Sequence, residues 1–138
     1  MRRFLLDTNV VSELRKPKPH GAVLSWFNTL RPEQMAVSAV VLGELQAGVE
    51  TTRLQDAQKA REIEEWIDRI WATHRVLPMD GLCFREYARL IHRLSDTLRE
   101  DAMIAATARL HGLTVATRNE RDFRSFSVPV FNPFRFTG

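Results

Sequence analysis

Cysteine is nearly absent. Cys83 stands alone, so an internal disulfide is impossible, and no Cys/His grouping has the spacing of a tetrahedral zinc site. A reducing, cytoplasmic setting is the expectation. Long apolar runs are missing as well: Phe4-Leu5-Leu6 gives way at once to Asp7, far short of a signal peptide's core or of the roughly 20 residues that span a bilayer, and no membrane association is expected. Lysine is scarce, limited to Lys16, Lys18 and Lys59, which removes the late lysine that receiver-like and dehalogenase-like phosphoryl transfer uses. None of Gly21, Gly43, Gly48, Gly81 or Gly112 precedes a lysine or belongs to a G-x-G run, so phosphate-loop and dinucleotide motifs are excluded, as is a serine nucleophile elbow.

What remains is 138 residues, 44% hydrophobic and 27% charged, a size and balance that fit one globular domain over residues 1–138. The net charge of +3 is carried mainly by arginine, whose planar fork suits phosphate; this is compatible with a polyanionic partner without requiring one.

The apolar run Phe4-Leu5-Leu6 predicts a buried parallel strand closed by the polar turn Asp7-Thr8-Asn9. Helical spacing follows over Ala22–Leu30, then a short strand Met35-Ala36-Val37. Ser38 is placed to cap a helix carrying Val41, Leu42, Leu45 and Val49, and a long amphipathic helix is expected from Arg53 to His74. A strand at Arg75–Pro78 precedes a helix capped by Asp80. Thr97–Glu100 reads as a capping box for a helix that ends at Gly112. Leu113–Thr117 and Val128–Phe131 complete the order β-α-β-α-α-β-α-α-β-β. Alternation of this kind predicts an α/β fold, an open, mostly parallel sheet of four to five strands flanked by helices, with its site outside the strands' carboxyl ends.

Four acids fall where that site is expected: Asp7 after the first strand, Glu44 inside an apolar helical stripe, Asp101 in a helix's first turn, and Asp122 in the loop after Thr117. Each alone has a structural explanation as a strand stop, an outward side chain, a dipole partner or a turn residue. Together they suggest one acidic pocket. Carboxylates held a few ångströms apart raise one another's pKa unless a cation intervenes, and an all-oxygen donor set favours Mg²⁺, with Mn²⁺ as substitute. Such a site suits phosphodiester hydrolysis.

Leu6-Asp7-Thr8-Asn9, Gly43-Glu44-Leu45, Glu100–Ala108, Thr117–Phe123 and Asn132-Pro133-Phe134, in that order and at those spacings, resemble the PIN-domain ribonuclease toxins of the VapC type, notably the FitB-like subgroup. The resemblance spans nearly the whole chain. It implies a PIN domain and a Mg²⁺-dependent endoribonuclease of a type II toxin–antitoxin system, acting on structured RNA such as tRNA. It also implies a homodimer or toxin–antitoxin hetero-oligomer, inhibition by a cognate antitoxin, and contact with DNA only through that antitoxin. Asp7, Glu44, Asp101 and Asp122 match the family's catalytic, metal-binding acids, while Thr8, Asn9, Thr117 and Asn119 match polar positions that place water or substrate. Glu100, beside Asp101, is a second acid that its capping-box role would explain.

The competing expectation is a non-catalytic RNA-binding or protein-interaction α/β domain, in which Arg85, Arg89 and Arg93 grip RNA and the acids only cap helices and turns. A solvated helix face is the simpler reading of those arginines. Trp66, Ile70, Trp71, Phe84 and Tyr87 are candidate anchors for a partner.

Overall fold

A computed structural model describes the chain from Met1 to Gly138 except Arg93, Ser95 and the side chain of Asp96. Arg93 of the arginine stripe therefore lies outside the described residues.

Among the described residues, five parallel strands form the sheet: β1 (Phe4–Leu6), β2 (Met35–Ser38), β3 (Val76–Leu77), β4 (Thr114–Ala116) and β5 (Val130–Phe131). Their spatial order is β3-β2-β1-β4-β5. Leu6 is in register with Val37 on one side and with Ala116 on the other. The first strand thus lies at the centre, and its side chains are buried on both faces, which is why it reads as an unbroken apolar run. The chain order turns back between β1 and β4, making the crevice beyond their carboxyl ends the favoured ligand position of an open parallel sheet.

Among the described residues, seven α-helices surround the sheet: α1 (Thr8–Arg15), α2 (Gly21–Phe27), α3 (Ala39–Arg53), α4 (Ala57–Thr73), α5 (Gly81–Ile91), α6 (Arg99–His111) and α7 (Glu120–Arg124). α6 packs deepest. Ala102, Ile104, Ala105, Ala106 and Ala108 are fully buried, and the four alanines let the helix backbone pack closely. Gly112 ends α6 at φ +64°, a conformation that glycine adopts without a Cβ penalty. Ser38 and Asp80 cap α3 and α5 as their positions predict, accepting from Val40 and Cys83 amides.

Four local expectations are corrected. The residues after Asp7 form no turn, because α1 starts at Thr8 with Asp7 as its N-cap, and Val10 and Val11 pack into the core. The long helix starts later than expected: Arg53 still belongs to α3, and α4 begins at Ala57, where Asp56 caps it by accepting the Lys59 amide. Leu98, which has no side-chain capping bond, precedes α6, so the Thr97–Glu100 capping box does not form. Asp122 sits in a helix, α7, rather than in a loop.

The core is continuous around β1, with Leu5 fully buried. Leu5→Ala is expected to lower unfolding stability by about 2–5 kcal/mol, because the central strand has helices on both faces and cannot collapse into the void. Urea denaturation checks this. A smaller core of Val49, Ala60 and Ile67 joins α3 to α4. Of the candidate anchors, Ile70 is buried and Trp66 packs against both cores, whereas Trp71 and Phe84 are 63% and 47% exposed. No helix among the described residues is long and apolar enough to cross a membrane.

Candidate active site

Asp7 leaves β1 at its carboxyl end, where its amide donates to the Ala116 carbonyl of β4 at 3.0 Å. That bond extends the sheet by one step and sets Asp7 beside Thr117. The Asp7 carboxylate is only 3% exposed, and each oxygen has donors. Oδ1 accepts the Thr8 amide at 2.8 Å; Oδ2 accepts the Thr117 hydroxyl at 2.7 Å and Asn9 Nδ2 at 3.2 Å. These donors favour the charged form, but burial outweighs them and pushes the carboxyl above its ordinary value.

The Thr8 hydroxyl donates to Glu44 Oε1 at 2.9 Å, tying α1 to α3 and turning Glu44 toward the sheet edge. Glu44 is half-buried. Its pKa is raised by desolvation first and then by the neighbouring charges of Asp7 and Glu100. Asp101, in the first turn of α6, is raised from 3.8 to about 7, again chiefly by burial, followed by repulsion from Asp7, Asp122, Glu44 and Glu100. The four sequence-selected acids therefore act on one another electrostatically although they lie on four different elements. Repulsion of this kind marks an anionic cup that its own side chains leave unneutralised.

Thr117 is fully buried, and its oxygen links three groups: it donates to Asp7 and accepts Asn9 Nδ2 at 3.3 Å and the Asn119 amide at 2.9 Å. Asn9 Oδ1 in turn accepts the Arg118 amide at 3.1 Å. The protons of the Thr8 and Thr117 hydroxyls are thus committed to carboxylates, and Asn119 joins this network through its backbone. Glu100 is an additional participant. Freed from the capping box, it adds negative charge beside Glu44 and Asp101, a role whose sequence signal was its adjacency to Asp101.

Among the described residues, no three His, Cys, Asp or Glu side chains already close on a common point as an ion's ligands would. The donor chemistry nonetheless fits a hard divalent cation, since every available ligand atom is a carboxylate or hydroxyl oxygen and the surplus charge is negative.

A family model described as PIN domain matches residues 4–128. The chain belongs to the PIN domain family. Over 95% of its length it is 36% identical to Toxin FitB of Neisseria gonorrhoeae, covering 98% of that protein. It is 35% identical to VapC ribonuclease Y4jK of Sinorhizobium fredii, with 95% and 97% of the two chains covered. Among solved structures, this PIN domain superposes on FitAcB from Neisseria gonorrhoeae with a TM-score of 0.84 and 34% identity, over 96% of this chain and 99% of that one. A member of the VapBC family of toxin-antitoxin systems, VapBC-5 from Mycobacterium tuberculosis, gives 0.65 at 26% identity, over 96% and 99%.

Proposed function

We propose that this PIN domain is a divalent-cation-dependent endoribonuclease, the toxin of a toxin–antitoxin pair, with Mg²⁺ as its resident ion. The observation that carries the reading is Asp101, lifted to about 7 by burial and by four surrounding acids at the crevice between β1 and β4. Relatives named as a toxin and as a ribonuclease support it.

Asp7 and Asp101 are the most direct ligands, with Glu44 and Asp122 completing the cup directly or through water. When bound, the cation lowers the pKa of an attacking water and offsets the charge of the departing oxygen. The chain's own residues prepare that site. Thr117 and Asn9 hold Asp7 by its Oδ2, and with the Thr8 amide on Oδ1 a lone pair remains on that oxygen; Thr8 fixes the Glu44 rotamer; and the starts of α1 and α6 bring their acids to one edge of the sheet. Thr8, Asn9 and Thr117 thus act by orienting acids, and Asn119 by its backbone bond to Thr117. Cleavage is hydrolytic, leaving 5′-phosphate and 3′-hydroxyl ends, with structured RNA such as tRNA the expected substrate.

Thr117→Val keeps the shape of the side chain but removes the donor to Asp7. The expected result is a 10- to 100-fold loss of cation affinity, the usual scale for a group that orients a ligand, read by calorimetric titration. A cognate antitoxin inhibits the cup with a basic side chain in the cation's place, and contact with DNA runs through that partner. The chain acts in the cytoplasm and self-associates as a dimer. Incubation of total RNA with Mg²⁺ and with chelator tests the reading: cleavage only with the ion supports it, whereas RNA affinity without cutting favours a plain binding domain.

A further inference from the structure

Beside the acid cup, a cleft of about 400 Å³ is lined by Arg118, Glu120, Arg121, Asp122, Arg124 and Arg135. Asp122 belongs to both. Glu120 lies low in the cleft, its side chain 16% exposed, and accepts from three groups: Arg124 Nη2 at 3.3 Å on Oε1, and Arg135 Nη1 at 3.1 Å and Asn132 Nδ2 at 3.0 Å on Oε2. The two arginines anchored on it remain 68% and 75% exposed. One carboxylate therefore orients two guanidinium groups and neutralises only one of them, and each keeps further N–H donors directed away from Glu120. Arg121 pairs with no carboxylate among the described residues, which leaves the cleft's positive charge in surplus.

Arg118 continues the surface towards the cup. Its guanidinium lies over the Phe134 ring, 3.8 Å from the centroid, with Glu13 Oε1 at 3.9 Å from Nη2. A guanidinium stacked on an aromatic ring keeps its in-plane donors for another ligand. The Arg118 amide reaches Asn9, and Asn9 reaches Asp7, so two hydrogen bonds join the cleft's rim to the most buried acid of the cup.

An anionic cup beside a cationic cleft suits a ligand with regularly repeated negative charge. One phosphate approaches the acids through a cation while its neighbours lie on the arginines. We propose that the Arg118–Arg135 cleft holds the RNA backbone next to the scissile phosphate, and that Glu120 is the positioning residue that sets Arg124 and Arg135. This rests on the ribonuclease reading above. The simpler alternative, ordinary solvated ion pairs, accounts for Arg124 and Arg135 taken singly; it does not account for their convergence with Arg121 and Arg118 on a cleft that shares Asp122 with the cup.

The test uses the full chain carrying Asp7→Asn to suppress cutting, a fluorescein-labelled RNA stem-loop, and anisotropy in Mg²⁺ from about 50 to 200 mM KCl. Combining Arg121→Gln, Arg124→Gln and Arg135→Gln is expected to weaken binding at least ~10-fold and to reduce the slope of log K against log salt by about 2, since each phosphate contact contributes about 0.7–0.9. Lys59→Gln, Arg61→Gln and Arg69→Gln together remove the same charge from α4, and Kd is expected to stay within about threefold because no local contact is lost. Glu120→Gln removes a negative charge yet is expected to weaken binding as the arginines lose their anchor. Equal effects of the two triple variants, or an unchanged slope in the cleft variant, overturn the cleft assignment. Tighter binding by Glu120→Gln overturns the positioning role. Failure of the ribonuclease reading shows separately, as intact RNA when the chain with Asp7 restored is incubated with Mg²⁺; the binding comparison still decides the cleft.

Discussion

Replacing Asp7 with asparagine is expected to reduce RNA cleavage by about three orders of magnitude while the chain stays folded. Asparagine caps helices as well as aspartate does, so the Thr8 amide keeps its acceptor and α1 its start. The new amide nitrogen meets the Thr117 hydroxyl and Asn9 Nδ2, where the carboxylate had accepted from both. Each of the two bonds lost costs about 1 kcal/mol, and no longer burying a charge offsets part of it. Activity responds differently. Removing a full negative charge from the cup takes away a principal ligand, and several kcal/mol of charge stabilisation at the reacting phosphate corresponds to roughly 10³-fold in rate. Single-turnover cleavage with the melting curve measured on the same sample separates the two effects. A variant that cuts at the unsubstituted rate removes Asp7 from the chemistry.

Without a divalent cation, the melting temperature is expected to fall as pH rises from about 5 to about 8, and Mg²⁺ is expected to reverse that fall. Asp7, Glu44 and Asp101 all have folded-state pKa values above their ordinary ones, Asp101 at about 7. Glu13, Glu50, Glu64, Asp80 and Glu86 have lowered values and are ionised in both states above about pH 5, so from there to about pH 8 the folded chain binds more protons than the unfolded chain. The stabilisation from Asp7, Glu44 and Asp101 is complete below about pH 4 and is lost as pH passes through their folded values. A cation that binds only the folded cup opposes the loss: at about 100 times its dissociation constant it contributes roughly 2.7 kcal/mol, equivalent to a shift on the order of 5–10 °C for a chain of this size. Differential scanning fluorimetry over pH, with Mg²⁺ and with chelator, reads both parts. The difference between the two curves should widen toward pH 8 and nearly vanish near pH 4. A constant difference places the ion away from the raised acids.

The sequence displayed the acids more clearly than the elements that hold them. Asp7 was legible because an apolar strand buried on both faces has no reason to end in a carboxylate, and Glu44 because it interrupts a helical stripe of Val41, Leu42 and Leu45. The parallel sheet followed from the alternation of strands and helices. The start of α1 was hidden, since Asp7-Thr8-Asn9 has turn composition and the same residue types also cap helices; Val10 and Val11 decide the matter only once both are seen to enter the core. The two helices α3 and α4 were separable in the sequence, but their boundary was set at Arg53 because the cap that starts α4, Asp56 accepting the Lys59 amide, is one of several polar residues there that could serve. The capping box failed because Thr97 lies within a 3-10 turn, Asp96–Leu98, and Leu98 takes the cap position before α6. Separately, the charge of Glu100 acts on Glu44 and Asp101, a proximity that a local motif cannot show. The Thr8–Glu44 and Thr117–Asp7 bonds join residues 36 and 110 positions apart, beyond the reach of any spacing rule.

Anomalous diffraction from crystals soaked in Mn²⁺ tests the single cation cup most directly. The expected map has its strongest protein-bound peak at the crevice between β1 and β4, with oxygens of Asp7 and Asp101 at about 2.1 Å, and loses that peak in Asp101→Asn. A fully occupied ion bound elsewhere, with none among Asp7, Glu44, Asp101 and Asp122 at concentrations that support cleavage, would contradict it.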